Sequence, residues 1–226
     1  MKRIFYAALL AVASLLAGIP AAAQHFTCAQ YETDAKRWQD IEQLFKRQGW
    51  SQWALAVKDA FPLNNDRSIQ YKYVLSSDVP CSQKRLTELV QKWITLEHPN
   101  VLPLPADQTV DLKVQTLWDN VAHSYRVFSA AYVSAKSETF VEFKENRLRI
   151  TVTVSRYVMG AANPFQVNSD TPLVGDCYPF DLNGKWKNVM AMAYINSNQK
   201  ALDQVASLLN YLNRHAAAPA KSDKDW

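Results

Sequence analysis

Apolar and polar residues alternate with a period of two from Arg147 to Tyr157. Leu148, Ile150, Val152 and Val154 fall on one side; Arg147, Arg149, Thr151, Thr153, Ser155 and Tyr157 fall on the other. A strand written this way buries one face and leaves the other wet. Thr139 to Lys144 alternates in the same sense, and Glu145-Asn146 between the two runs predicts a tight hairpin, because Asn tolerates positive φ. That register sets Phe143 opposite Leu148, Val141 opposite Ile150, Thr139 opposite Val152, and the opposite charges of Glu142 and Arg149 side by side on the wet face. Gln70 to Leu75 is another alternating run, with Tyr71, Tyr73 and Leu75 together. Two further strands are predicted, from Val110 to Trp118 and from Val121 to Val133. They are separated by a turn at Asp119-Asn120 and followed by a break at Ser134–Ser137.

Helical spacing marks other stretches. Leu86, Leu89, Val90, Trp93 and Ile94 recur at i, i+3, i+4, i+7 and i+8 behind Ser82, a good N-cap, and Pro99 closes the segment. Ala201, Leu202, Val205, Leu209 and Leu212 give a second stripe within a helix from Asn198 to about Arg214, with Lys187 to Ile195 a separate short element. Near the N-terminus, Tyr31, Ala35, Trp38, Ile41 and Phe45 form a third stripe, and Ser51 caps a shorter helix ending before Pro62. The order is strand, helix, four strands, helix. This is an α+β fold in which an antiparallel sheet has helices on one face and an open polar face on the other, with an N-terminal helical appendage. The divisions are a leader over 1–23, a helical segment over 24–66, the α+β domain over 67–214 and a disordered tail over 215–226.

Residues 1–23 read as a secretory signal peptide. Lys2 and Arg3 start it, an apolar run from Ile4 to Ile19 follows, and Ala21-Ala22-Ala23 supplies the small residues of a cleavage site. The implied destination is the periplasm, cell surface or exterior of a Gram-negative bacterium. Losing Lys2 and Arg3 takes the formal charge from +4 to +2, too even a balance to imply nucleic acid. No later run is apolar enough for a membrane span in the mature chain. Cys28, Cys81 and Cys177 survive cleavage; export permits a disulfide, and three thiols allow three alternative single bridges.

The chain resembles a family of uncharacterised secreted bacterial proteins, a domain of unknown function with a TATA-binding-protein-like (TBP-like) fold. The resemblance runs over roughly residues 66–213. It rests on Tyr71-Lys72-Tyr73-Val74, on Cys81-Ser82-Gln83 leading into Leu89-Val90-Gln91-Lys92-Trp93-Ile94, on the hairpin Val141 to Arg149 and on Tyr178-Pro179-Phe180. It implies β-α-β4-α topology and neither activity nor cofactor. The fold's name does not imply DNA binding, because function belongs to sites.

Candidate chemistry is sparse. Five glycines form neither nucleotide-binding loop pattern, and no Cys-x-x-Cys or His-x-x-x-His spacing suggests a metal, so no cofactor is expected. Cys177, with His25, His98 or His123 as base, makes a cysteine-dependent hydrolase one candidate; a disulfide partner or a small buried residue is the plainer reading. Trp50, Trp53, Trp118 and Trp186 are candidate stacking platforms, against the rule that Trp is mostly buried. The leading candidate is the polar row Arg147, Arg149, Thr151, Thr153 and Tyr157, which suits a carboxylate, sugar or peptide; an ordinary solvated face is the alternative. The expected function is a non-enzymatic envelope module that binds an envelope protein or glycan, with a structural component of an envelope complex as a further alternative. Expressed with its leader in a Gram-negative host, the protein should be recovered with Gln24 as its first residue, as read by intact-mass spectrometry.

Overall fold

A computed structural model describes residues 26–45, 63–99, 111–126, 129–161, 173–177 and 187–216. Its elements are β1 (Phe26–Thr27), α1 (Ala29–Phe45), β2 (Ile69–Ser77), α2 (Gln83–Glu97), β3 (Leu112–Arg126), β4 (Ser129–Lys144), β5 (Arg147–Ala161), a 3-10 turn (Val174–Cys177) and α3 (Lys187–His215). The strands form one antiparallel five-stranded sheet in the order β1-β2-β5-β4-β3. The fold is α+β.

The hairpin forms in the predicted register. Phe143 pairs with Leu148, Val141 with Ile150, Thr139 with Val152 and Glu142 with Arg149. Asn146 takes the positive φ the turn needs, at 61°. It also ties the turn to its surroundings: its carbonyl accepts from Ser77 N (2.8 Å), its side-chain oxygen accepts from Cys81 N (2.7 Å) and its own N–H donates to Cys81 O (3.0 Å). The next residue, Ser82, caps α2 by accepting from Arg85 N (3.2 Å).

The strand count after α2 differs from the sequence reading. Three long strands stand where four were expected, and the fifth strand of the sheet is the short β1, inside the stretch expected to be helical. Asp119-Asn120 is a β-bulge within β3 and not a turn, since a residue able to hold positive φ (Asn120, 51°) serves either purpose. Ser134–Ser137 continues β4 because its hydroxyls find partners. Ser137 Oγ lies 2.6 Å from Thr116 Oγ1, and Ser134 Oγ accepts from Asn120 N at 3.3 Å. Nor are Lys187–Ile195 and the following helix separate; both belong to the 29-residue α3.

All three helices lie on one face of the sheet. Ile150, Val152, Val154, Leu148, Tyr73 and Val141 are buried beneath them, each apolar residue contributing about 1.5–3 kcal/mol relative to exposure. α1 reaches that face through Asp34, which accepts from Tyr73 Oη (2.8 Å), and through Tyr31, packed edge-on to Tyr73. α2 joins α3 by Trp93 Nε1 donating to Ser207 Oγ (3.1 Å). α3 is pinned mid-length: Asn196 Nδ2 donates to Val121 O (2.7 Å) beside the bulge, and Asn198 Oδ1 accepts from Tyr71 Oη (2.8 Å) while its Nδ2 donates to Tyr194 O (2.8 Å). The leader over 1–23, the second N-terminal helix from Ser51 and the tail beyond Ala216 lie outside the described residues.

Asn198 is fully buried, so Asn198→Ala should remove the hydrogen bond that its Oδ1 accepts from the Tyr71 hydroxyl and cost about 1–3 kcal/mol, measured by urea unfolding.

Candidate functional site

β5 presents Arg147, Arg149, Thr151 and Thr153 on the face away from the helices, as the alternation requires. Sheet order then decides their neighbours. Arg147 lies between Ser76 and Lys144, Arg149 between Val74 and Glu142, Thr151 between Lys72 and Phe140, and Thr153 between Gln70 and Glu138. Lys72 and Val74 are not candidate site residues in the sequence reading, because the pairing of β2 with β5 is a long-range choice that local patterning does not encode.

Tyr157 does not belong to this row. The β4–β5 register shifts between Lys136 and Ser137, leaving Ser155 as an extra residue on β5. Past that bulge the alternation restarts, so Tyr157 points into the core and is fully buried. Its hydroxyl faces Ser197 without reaching hydrogen-bond geometry, and burial pushes its pKa up. A one-residue bulge inside an unbroken β-forming run leaves no compositional mark.

The remaining groups are not equally available. The Arg149 guanidinium donates from Nε and Nη2 to both oxygens of Glu142, a bidentate pair. Those hydrogen bonds hold the Glu142 carboxyl below the usual carboxylate range, with Lys72 and Lys144 adding to the effect, and raise Arg149 in turn. Lys113 Nζ lies 2.8 Å from Glu138, which also accepts from Gln115 (3.0 Å); these contacts lower the Glu138 pKa. Thr153 accepts from Gln70 Nε2 at 3.2 Å. Among the described residues Lys72, Lys144 and Arg147 have no acidic partner within ion-pair distance. Beside them Val74 is 48% exposed. A shallow depression of about 310 Å³ runs over Val74, Glu142, Lys144, Arg147 and Arg149. Chemically this is a cationic rim around an apolar spot, floored by a neutralised ion pair.

The other candidates are dispersed. Cys28 and Cys81 are buried, Cys177 is half-buried, and all three are free thiols. Cys177 lies near Tyr157. His98 is between α2 and α3, its Nε2 3.2 Å from Gln204 Nε2 and its ring edge-on to Trp93; burial lowers its pKa. Trp118 packs partly buried against the core, while His25, Trp50, Trp53 and Trp186 lie outside the described residues. Among the described residues no group of three or more His, Cys, Asp or Glu side chains could hold a metal ion, and no helix is long and apolar enough to cross a membrane.

No family model matches the chain, and no curated protein does. Among solved structures, the chain is similar to a TBP-like protein from Parabacteroides distasonis, with 13% identity and a TM-score of 0.43 over 66% of this chain and 96% of that one.

The lowered Glu142 pKa sets a sign. A carboxyl held below its ordinary value favours the folded state above that value, and the contribution disappears as the pH falls through the folded pKa. Arg149→Gln should therefore move the Glu142 titration back up toward its ordinary 4.5, followed by carboxyl-carbon NMR.

Proposed function

We propose that this chain is a non-enzymatic, exported binding module of the TBP-like kind, which engages an anionic envelope protein or glycan through the bare face of its sheet. Export rests on the leader-like pattern of residues 1–23, and the TBP-like reading on the motifs of residues 66–213 and the helices gathered on one face. The observation that carries the binding reading is the gathering of Lys72, Lys144 and Arg147 around exposed Val74, without acidic partners among the described residues. Uncompensated cations beside apolar area attract a carboxylate, sulfate or phosphate and give it something to pack on. Thr151 and Thr153 extend the row with hydroxyls. Arg149 serves to position the surface, since Glu142 already occupies its donors.

The cysteine-hydrolase reading draws less support, because His98, one of the candidate bases for Cys177, is engaged between α2 and α3 by Gln204 and Trp93. An assembly role has one observation in its favour. β3 forms the outer edge of the sheet, with Leu117 half exposed and no strand beyond it among the described residues. A partner whose capture survives loss of Lys144 and Arg147 would point to that edge.

A screen of acidic envelope glycans and acidic peptides should give a saturable rise in melting temperature. Lys144→Ala with Arg147→Ala should weaken the responding ligand by about tenfold or more, and added salt should weaken it further. Melting temperatures that stay flat across the screen, or a double variant that binds as well as the native protein, would sink the proposal.

A further inference from the structure

A second concavity lies on the helix layer, on the other side of the sheet from the surface above. It occupies about 430 Å³ between α1, α2 and α3, and its walls include Tyr31, Glu97, Asp203, Asn210, Tyr211 and Arg214. We propose that this cavity binds a small organic cation, an ammonium group carried on an aromatic or sugar-sized body, with Asp203 as its counter-ion.

Asp203 is the anchor of the argument. Its carboxyl has no hydrogen bond or ion pair among the described residues, although the residue is half-buried. A carboxylate withdrawn from water without a donor is costly, and a bound cation offsets that cost directly. Burial has already raised the Asp203 pKa to about 6, with Lys200 pulling the other way. The Tyr31 hydroxyl, on the wall of the same cavity, is pushed up to about 12 by burial and then by the Asp203 charge.

The remaining walls suit the same class of ligand. Tyr31 and Tyr211 contribute aromatic rings to the wall, a type of group to which an ammonium is attracted, and Tyr211 is held in place by stacking on His215 with ring centroids 4.2 Å apart. Glu97 is a second carboxylate on the cavity wall, accepting from Ser207 Oγ at 2.6 Å. Asn210 adds both a donor and an acceptor for hydroxyls on the ligand body. Arg214, exposed, is the cation of the lining that opposes the assignment; against it stand two carboxylates, one of them without a partner. The volume is that of a pocket for a single small molecule.

The test uses the full chain and isothermal titration calorimetry, with benzylamine and glucosamine as probes and benzyl alcohol and glucose as their uncharged counterparts. At least one amine should give saturable heat, and its uncharged counterpart should bind about tenfold more weakly or not at all. Asp203→Asn should reduce amine affinity about tenfold or more while the melting temperature holds or rises, because a partly buried charge is removed. Lys144→Ala with Arg147→Ala should leave amine binding unchanged, which separates this site from the sheet surface. Lowering the pH from about 7.5 to about 5 protonates Asp203, with Tyr31, Glu97, Lys200, Arg214 and His215 as the other titratable groups nearby, and should weaken the amine. Absence of saturable heat from both amines, equal binding of the uncharged counterparts, or full affinity in Asp203→Asn would overturn the proposal. If Asp203→Asn does not fold, the uncharged counterparts and the pH series in the native protein decide it.

Discussion

A helix laid across a sheet should be most apolar where it crosses, yet α3 carries Asn196, Ser197 and Asn198 at that place. The last two are entirely out of water. The sheet supplies partners for the two asparagines, the Val121 carbonyl beside the β3 bulge for Asn196 and the Tyr71 hydroxyl on β2 for Asn198, while the Ser197 hydroxyl goes without one among the described residues. Each bond is modest on its own, but they fix where along its 29 residues the helix rests. That placement in turn sets which part of α3 meets α1 and α2, and so shapes the cavity around Asp203. An all-Leu helix would bury as much area and slide more freely. Here a few directional contacts choose among placements that apolar packing alone would leave nearly equal in energy.

Much of this was legible in the sequence. The Glu145-Asn146 hairpin, its register, the Ser82 cap and the apolar stripe of α2 follow from local rules, in which a residue's preference and its final environment agree. The bulges are different. Asp119-Asn120 has the composition of a turn, and only the pairing of β3 with β4 on both sides of it reveals a strand that swells and continues. Ser134–Ser137 looks like a loop because its hydroxyls need partners, and those partners are Thr116 and Asn120, on another strand. Tyr157 was placed on the wrong face by the same cause, since one extra residue at Ser155 inverts every position after it.

The candidate surfaces were legible only in part. Alternation placed Arg147, Arg149, Thr151 and Thr153 on the wet face, and charge pairing across the hairpin anticipated that Glu142 would occupy Arg149. The cations that join Arg147 without acidic partners among the described residues, Lys72 and Lys144, come from β2 and from the end of β4, and their convergence depends on β5 lying between those strands. Asp203 was invisible for a related reason. On the helical stripe of α3 it reads as an ordinary polar-face acid, and only the arrival of α1 takes it out of water.

The Asn146 turn has a bearing on how the chain reaches its fold. One residue joins the end of β2 and the approach to α2, through Ser77 and Cys81, to the β4–β5 hairpin. If the hairpin zipped up one position out of step, both of those attachments would be lost together, far from the mispaired side chains. Misalignment in the sheet is thereby penalised at the helix that has yet to dock, so an error of local origin is rejected by a distant part of the molecule.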